Sequence, residues 1–268
     1  MTVVLLFLLL FLLLWLFFYA ALPLLDRTLS RAAHWTAAFR YRDYVPVFIV
    51  LAIGVVAASA AGDAFEDLAE LLHEESPQLR EVDTAVHEWA RYTRTTGSTR
   101  FFTTMTLVGT PVGLGILAGI ASIALMAKRR WRWAAYLAFT TCVGGLLNLQ
   151  LKAFFARQRP ELAEALRHAS GYSFPSGHAM GAIVVFGALA YLGLRILPKW
   201  RWRAAALALC LTLTLAIASS RVYLGVHWIS DIAAGLAAGL IWVTTTTVAY
   251  ETFRRIRLVR ALRAKRDA

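Results

Sequence analysis

Seven long apolar runs alternate with short polar connections along the chain. At a rise of about 1.5 Å per residue, even the shorter runs cross most of a ~30 Å hydrocarbon layer when helical, and an unbroken helix satisfies its own backbone there. The pattern predicts an all-α integral membrane protein whose seven spans pack into one bundle. The runs cover residues 2–25, 45–62, 102–127, 133–151, 177–197, 204–220 and 226–250. Glycines in the third and last runs should allow close helix packing: Gly109, Gly113, Gly119, Gly235 and Gly239.

The connection between the second and third runs is polar but patterned. Apolar residues recur in it at helical spacing beneath acidic neighbours, first at Phe65, Leu68 and Leu72 and then at Val82, Val86 and Trp89. We predict two short amphipathic helices on the outer membrane surface. They would be connectors that rest at the interface, with a lid or a lipid-access rim as the alternative.

Composition supports the membrane assignment, since 59% of the 268 residues are apolar, 16% are charged and the mean hydropathy is +0.59. These values exclude disorder and most soluble folds. The first 25 residues lack a basic start and exceed the apolar core of a signal peptide, so we predict an uncleaved span. Cys142 and Cys210 lie inside apolar runs and form neither a disulfide framework nor a metal-binding spacing.

The formal net charge of +12 suggests an anionic partner such as nucleic acid, but the positions of the charges indicate a membrane instead. Most of the 28 lysines and arginines flank apolar runs, in segments 27–42, 128–132, 195–203 and 254–266. Such segments are cytoplasmic under the positive-inside rule. Residues 62–101 hold nine of the 16 acids and should lie outside, on the side that also receives connections 152–176 and 221–226.

The first of these two outer connections carries basic residues at the end of a span. Lys152 and Arg159 are seven residues apart, so they lie near one stripe if the helix continues, and Pro160 then favours its end. Taken alone, such residues are usually anchors that reach the membrane surface.

A turn with anion-binding character follows. Residues 173–178 lead into a helix N-terminus, where free backbone N–H groups attract anions. Ser176 adds a hydroxyl, Gly177 allows close approach to the main chain, and His178 adds an imidazole. The alternative is a simple helix cap with an interfacial histidine.

The second outer connection contains Arg221, His227 and Asp231. His227 and Asp231 are four residues apart at the start of a helix, so the carboxylate can fix the tautomer of the ring. A surface contact is the plainer interpretation of such a pair. Ionisable residues near bilayer depth are costly, however, and point to function.

Together the connections predict a phosphate site. Lys152, Arg159 and Arg221 supply positive charge, and the histidines supply a nucleophile and an acid, which phosphoryl transfer requires. No carboxylate cluster suited to Mg²⁺ is evident, because Asp231 is committed to His227, and Glu161 and Glu164 are isolated. We predict a mechanism without metal or cofactor.

Three segments resemble the signature of the type 2 phosphatidic acid phosphatase superfamily: 152–160, 175–178, and Ser220-Arg221 with His227 and Asp231. The resemblance implies that His227 is a nucleophile that forms a phosphohistidine, Asp231 its partner and His178 the general acid. It implies phosphate ligands at Lys152, Arg159, Ser176, Gly177 and Arg221. It also implies a six-helix catalytic core in residues 44–250. Residues 1–43 would add a transmembrane helix and a basic cytoplasmic connector, and residues 251–268 a basic cytoplasmic tail.

The activity implied is that of a metal-independent membrane lipid phosphatase. Its substrate would be a lipid phosphate monoester or pyrophosphate such as undecaprenyl pyrophosphate, phosphatidylglycerol phosphate or phosphatidic acid, and phosphate or vanadate would occupy the site. The expected location is a bacterial cytoplasmic membrane, with the site facing the periplasm or exterior. The alternatives are a lipid-to-lipid phosphotransferase and, less favoured, an anion or lipid transporter, whose polar residues should lie near mid-membrane. We expect no nucleic-acid partner and predict no oligomeric state.

Overall fold

The computed structural model of the chain describes residues 2–35, 45–160, 165–166 and 170–267. Within these ranges it contains nine α-helices and no strand, which confirms the predicted all-α class. The helices are α1 (Thr2–Trp35), α2 (Val45–His73), α3 (Pro77–Tyr92), α4 (Thr96–Val108), α5 (Pro111–Ala127), α6 (Trp131–Phe155), α7 (Gly177–Ile196), α8 (Trp200–Tyr223) and α9 (Ile229–Asp267). The predicted basic connector at Arg40 and Arg42, and the acids Glu161 and Glu164, lie outside the described residues.

Five of the described helices are each long and apolar enough to cross a membrane, namely α1 over Val3–Ala21, α6, α7, α8 and α9. The pair α4 and α5 meets this criterion together, with a bend of 58° between the two helices. This break corrects the single helix predicted over 102–127. Thr110 Oγ1 caps α5 by accepting the Gly113 N–H at 3.0 Å, and Pro111, which has no N–H to donate, begins the new helix.

The acidic segment contains one separate helix rather than the two predicted. α2 continues without interruption to His73, so Phe65, Leu68 and Leu72 belong to its last turns. The helical pattern is confirmed, but the predicted end at residue 62 is wrong, because Gly62 and Asp63 lie within α2 without breaking it.

α3 is the second predicted helix, but its buried face differs from the predicted stripe. The helix begins after Ser76 and buries Asp83 and Ala90, whereas Val82 and Trp89 are 54% and 65% exposed. The reason is its location, because α3 packs on α8 and α9 at the end of the bundle where polar groups of other helices converge. The prediction assumed an apolar interior beneath it.

α7 lies at the centre of the bundle, in contact with α5, α6, α8 and α9.

Glycines allow α9 to approach α7 closely, as predicted. A Cβ on Gly235 would lie 2.7 Å from Ser176 O, and one on Gly239 would lie 2.9 Å from Met180 O. The prediction is wrong for Gly119, where a Cβ would meet no atom within 4 Å. The glycines of α9 thus bring its first turns close to the start of α7.

α1 packs along α8 at the side of the bundle. The Trp15 indole N–H donates to Arg201 O at 3.2 Å, while the Phe7 ring stacks on Phe101 with centroids 5.4 Å apart. Most of its leucine side chains are exposed, as expected for a helix that faces lipid.

Helix direction divides the bundle into two ends. The site end is formed by the C-termini of α6 and α8 and the N-termini of α7 and α9. The basic end is formed by the turns that join α5 to α6 and α7 to α8, and by the C-terminus of α9. All three predicted polar connections meet at the site end.

Candidate active site

The chain turns sharply between α8 and α9 and places a histidine–aspartate pair at the site end. Gly225 has a φ of +77°, which favours glycine, and a Cβ there would lie 3.0 Å from Arg94 Nη2. His227 is 2% exposed, and its Nδ1 lies 3.2 Å from Asp231 Oδ2, which also accepts the Trp228 N–H at 3.0 Å. The carboxylate therefore favours the tautomer with its proton on Nδ1.

The surroundings of His227 keep its ring neutral at pH 7. Burial lowers the pKa of His227 to about 4, although the hydrogen bond and the charge of Asp231 oppose the shift. Arg159 and Arg221 add positive charge that also lowers this pKa. A neutral ring that is protonated on Nδ1 leaves the Nε2 lone pair available for attack.

Arg159 lies directly in front of that lone pair. Its Nη1 is 3.0 Å from His227 Nε2 and donates to Val226 O at 2.8 Å. Its Nη2 donates to Tyr172 O at 3.2 Å, the same carbonyl that accepts the Lys152 ammonium at 2.7 Å. The two predicted cations therefore converge on one loop.

They do not converge along a continuous helix, which corrects the prediction. α6 ends at Phe155, and Ala156 adopts the left-handed conformation with a φ of 47°. The chain then reverses, and Ser173 N–H and Oγ–H donate to Arg157 O at 2.8 and 3.2 Å. Lys152 and Arg159 are brought together by this return of the chain and not by helical spacing.

The turn into α7 has the geometry of an anion site. Ser176 is the N-cap residue of α7, but its side chain makes no capping hydrogen bond. Its buried Oγ has no hydrogen-bond partner among the described residues, which contradicts the simple-cap alternative. A Cβ on Gly177 would lie 2.8 Å from Asn148 Oδ1, so a side chain here would have to displace the buried Asn148 amide.

His178 and Arg221 complete the cluster from two further helices. Arg221 is 6% exposed, and its Nη1 donates to Thr106 Oγ1 at 2.6 Å. The Nε2 of His178 is buried without a hydrogen-bond partner among the described residues. Arg159, Arg221 and His227 lie close enough to act on this ring electrostatically. Gly109, predicted as a packing residue, lies beside it, since a Cβ there would be 3.1 Å from His178 Cδ2.

The chain resembles known proteins in both sequence and structure. A sequence model of the PAP2 superfamily matches residues 133–255, which include every predicted site residue. YbjG of Escherichia coli (strain K12), named provisionally as an undecaprenyl-diphosphatase, is 31% identical over 144 residues, which cover 68% of that protein and 49% of this chain.

The chain belongs to the PAP2 superfamily.

Two further relatives extend the comparison. Phosphatidylglycerophosphatase B of Bacillus subtilis (strain 168) is 38% identical over 97 residues, or 36% of this chain, and the match spans only about half (47%) of that protein's length. The crystal structure of a transmembrane PAP2-type phosphatidylglycerolphosphate phosphatase from Bacillus subtilis superposes with a TM-score of 0.67 at 26% identity. The superposition covers 71% of this chain and 94% of the Bacillus subtilis chain.

Two charged residues of the site were not predicted. Arg157 Nη1 donates to Asp231 Oδ1 at 2.6 Å, so Asp231 is not committed to His227 alone, which corrects that expectation. Arg157 also binds the buried carboxylate of Asp83 on α3, outside the segment that matches the PAP2 model. A signal existed for Asp83, because it shares a helical face with the buried Ala90 and with Val86, which packs beside it.

A cavity of about 1070 Å³ lies beside the cluster, between α2, α3 and the end of α6. Its walls include Leu71, Leu72, Phe154 and Phe155, and Arg159 lies at its polar side. Among the described residues no group of three or more metal-binding side chains occurs, and the metal-free mechanism stays a prediction. The cavity thus combines an apolar wall with polar and charged walls, and it reaches the cationic cluster at Arg159.

Proposed function

We propose that the protein is a membrane lipid phosphatase that hydrolyses a lipid phosphate monoester or pyrophosphate through a phosphohistidine on His227. The observation that carries this proposal is the geometry of that ring. Its Nδ1 is held by Asp231 while its Nε2 faces the Arg159 guanidinium at 3.0 Å. An oriented, neutral imidazole beside a cationic cluster is suited to attack on phosphorus.

Phosphate binding would use the groups around Nε2. Lys152, Arg159 and Arg221 supply positive charge that balances a phosphate dianion, and the N-terminus of α7 adds backbone donors. Ser176 Oγ is buried without a partner among the described residues, and a phosphate oxygen would satisfy it. Vanadate, which resembles the pentacoordinate transition state, should bind the same groups and inhibit.

The first chemical step forms a bond between Nε2 and phosphorus. A phosphate group draws Arg159 onto its oxygens, because a charged acceptor is preferred to a neutral ring nitrogen. Nε2 attacks, the bond from phosphorus to the leaving oxygen breaks in line, and His178 gives that oxygen a proton. The leaving group is the lipid alcohol of a monoester or the lipid monophosphate of a pyrophosphate. In the second step His178 takes a proton from water, the water oxygen bonds to phosphorus, and the bond between phosphorus and Nε2 breaks to release inorganic phosphate and the neutral ring.

The substrate would reach the site as a lipid. The cavity lined by Leu71, Leu72, Phe154 and Phe155 suits an acyl or prenyl chain, and Arg159 at its polar side would meet the headgroup. The names of the relatives support phosphatidylglycerol phosphate and undecaprenyl pyrophosphate as candidates, with phosphatidic acid as a third. We propose that the site end faces the periplasm or exterior and the basic end the cytoplasm, because positive loops stay inside.

A panel of ³²P-labelled lipids in detergent micelles tests the proposal. We expect release of inorganic phosphate from at least one of the three candidates. Transfer of the label to a second lipid would instead show a phosphotransferase, and no chemical change to any lipid would favour a transporter.

Removal of metal ions is a separate test of the mechanism. Because the proposed chemistry uses only side chains, turnover should persist after dialysis against excess chelator and stay unchanged when Mg²⁺ is restored. Turnover that stops with chelator and returns with Mg²⁺ would contradict the metal-free mechanism.

A further inference from the structure

Asp83 is an unusual residue for a surface helix, because its carboxylate is buried. It is 2% exposed, although α3 carries exposed charges on its other faces. Its Oδ1 accepts the Ser230 N–H at 3.0 Å, and its Oδ2 accepts the Ser230 hydroxyl and Arg157 Nη2, each at 2.7 Å. Both carboxylate oxygens are therefore bound to groups at the site end.

Arg157 connects this carboxylate to the proposed nucleophile. Its Nη1 donates to Asp231 Oδ1 at 2.6 Å and to the Ser230 hydroxyl at 2.7 Å. One planar guanidinium thus joins two buried carboxylates that come from α3 and α9. Such charge-assisted bonds fix direction as well as distance.

We propose that Asp83 and Arg157 are positioning residues for His227, and that α3 is part of the active site. The proposal rests on the proposed function, since it assigns these residues to the same reaction. Arg157 occupies Asp231 Oδ1, so that only Oδ2 is presented to His227 Nδ1. Asp83 holds Arg157 and the first turn of α9 from the opposite side. Both residues also line the cavity beside Arg159, but their charged groups bind each other, Ser230 and Asp231, so we assign them no contact with the phosphate.

The order of charges predicts that the two residues have opposite effects on protonation of the His227 ring, which a purely structural role would not produce. Going outward from His227, the chain of contacts meets a negative, a positive and then a negative group. Removal of the Arg157 charge favours a proton on the His227 ring, whereas removal of the Asp83 charge disfavours it. A simple loosening of the fold would instead hydrate the ring and shift both variants in the same direction.

Other charged or titratable groups surround the same ring and stay constant in this comparison. Asp231 on α9, Arg221 on α8, His178 on α7 and Arg159 in the loop after α6 act on it electrostatically. Lys152 on α6 lies beside Arg159 and Asp231, and His87 on α3 packs against Trp228, the next residue in the chain.

The test measures the titration of His227 directly in the full-length protein in detergent. Histidine labelled with ¹⁵N reports ring protonation and tautomer by NMR, and His227→Ala assigns the signal. We expect Arg157→Gln to raise the titration midpoint and Asp83→Asn to lower it. The shifts should be roughly 0.5–1 pH unit, less than the 1–3 units caused by a charge in direct contact. Arg157→Lys keeps the charge and should leave the midpoint near the wild-type value.

Turnover provides the second measurement. Loss of an outer hydrogen-bond partner typically costs about 10–100-fold, so kcat per folded molecule should fall by that factor in Arg157→Gln and Asp83→Asn while KM changes little. Glu88→Gln on the exposed face of α3 and Arg201→Gln at the basic end are matched charge controls and should behave as wild type.

The outcomes separate the two proposals. Opposite midpoint shifts in a protein that hydrolyses no lipid would support the positioning role of Asp83 and Arg157 and contradict the phosphatase. Midpoints that stay unchanged or move in the same direction in an active enzyme would overturn the positioning role. If Arg157→Gln does not fold, the other two variants carry the test. A lowered midpoint in Asp83→Asn together with an unshifted midpoint in Arg157→Lys would support the positioning role. An unshifted or raised midpoint in Asp83→Asn would contradict it.

Discussion

Asp231 and Glu251 are two buried carboxylates of the same helix, and their partners come from different places. Glu251 is bound by Arg254 and Arg255, three and four residues along α9, and by the Tyr191 hydroxyl at 2.7 Å. Asp231 is bound by His227 from the preceding turn and by Arg157 from the loop after α6, and through Arg157 it is linked to α3.

The difference separates anchoring from chemistry. A carboxylate paired mainly within its own helix neutralises nearby arginines and stabilises one end of that helix. A carboxylate whose partners come from separate parts of the chain fixes those parts relative to one another. Asp231 does this, and one of its partners, His227, faces the cation Arg159. We therefore expect the basic end to determine insertion and stability, and the site end to determine reactivity.

The largest effect on turnover is expected when His227, the partner that Asp231 has and Glu251 lacks, is removed. His227→Ala should lower kcat by about 10⁴-fold or more, because it removes the proposed nucleophile. Phosphate release from the lipid identified by the panel measures this effect, with size-exclusion profile and Tm as checks of folding. Turnover near the wild-type rate in a folded variant would refute the role of His227.

A smaller loss is expected when the Asp231 charge is removed. Asp231→Asn keeps the size of the side chain but no longer favours the proton on Nδ1 of His227, so kcat should fall by about 10²–10⁴-fold. The same assay measures it. A variant with a normal rate and an unchanged tautomer in ¹⁵N spectra would show that the hydrogen bond at 3.2 Å does not orient the ring.

The pH profile should reflect the buried state of His227. A nucleophile must be unprotonated, and burial lowers the pKa of His227 to about 4, so kcat/KM should fall with decreasing pH near 4 rather than near 6.5. Initial rates at subsaturating lipid between pH 3.5 and 8 measure this limb. An acid limb near pH 6.5 would contradict this expectation and show that the ring is solvated in the working enzyme.

The smallest effect on turnover is expected at the basic end. Glu251→Gln weakens the contacts with Arg254, Arg255 and Tyr191, so it should lower Tm, yet kcat should stay within about twofold of wild type. Thermal unfolding in detergent and phosphate release measure the two quantities. A loss of turnover as large as that of Asp231→Asn would remove the distinction between the two ends.

Local spacing was sufficient to predict several features. The His227–Asp231 pair lies within one helical turn, and the N-terminus of α7 follows directly from the residues before it. The apolar runs also predicted the membrane bundle. These features depend on residues close in sequence, whose geometry is set by helical periodicity.

Other features depend on contacts that periodicity does not encode. Asp83 and Arg157 are 74 residues apart, and only the packing of α3 on the bundle brings them together. The left-handed conformation at Ala156 occurs at a residue without a glycine signal, so the end of α6 could not be placed there. The break before Pro111 lies inside an apolar run, where hydrophobicity alone predicts one helix, although Thr110 and Pro111 are residues that commonly start a new one.

The most direct test of the central claim is to look for phosphate bound covalently to His227. Brief incubation with the ³²P-labelled lipid, followed by denaturation in alkali, should leave label on the wild-type protein, and acid should remove it, as expected for a nitrogen–phosphorus bond. The label should be absent from His227→Ala. An enzyme that turns over without ever carrying label under rapid quench, or a label that persists in His227→Ala, would contradict the account.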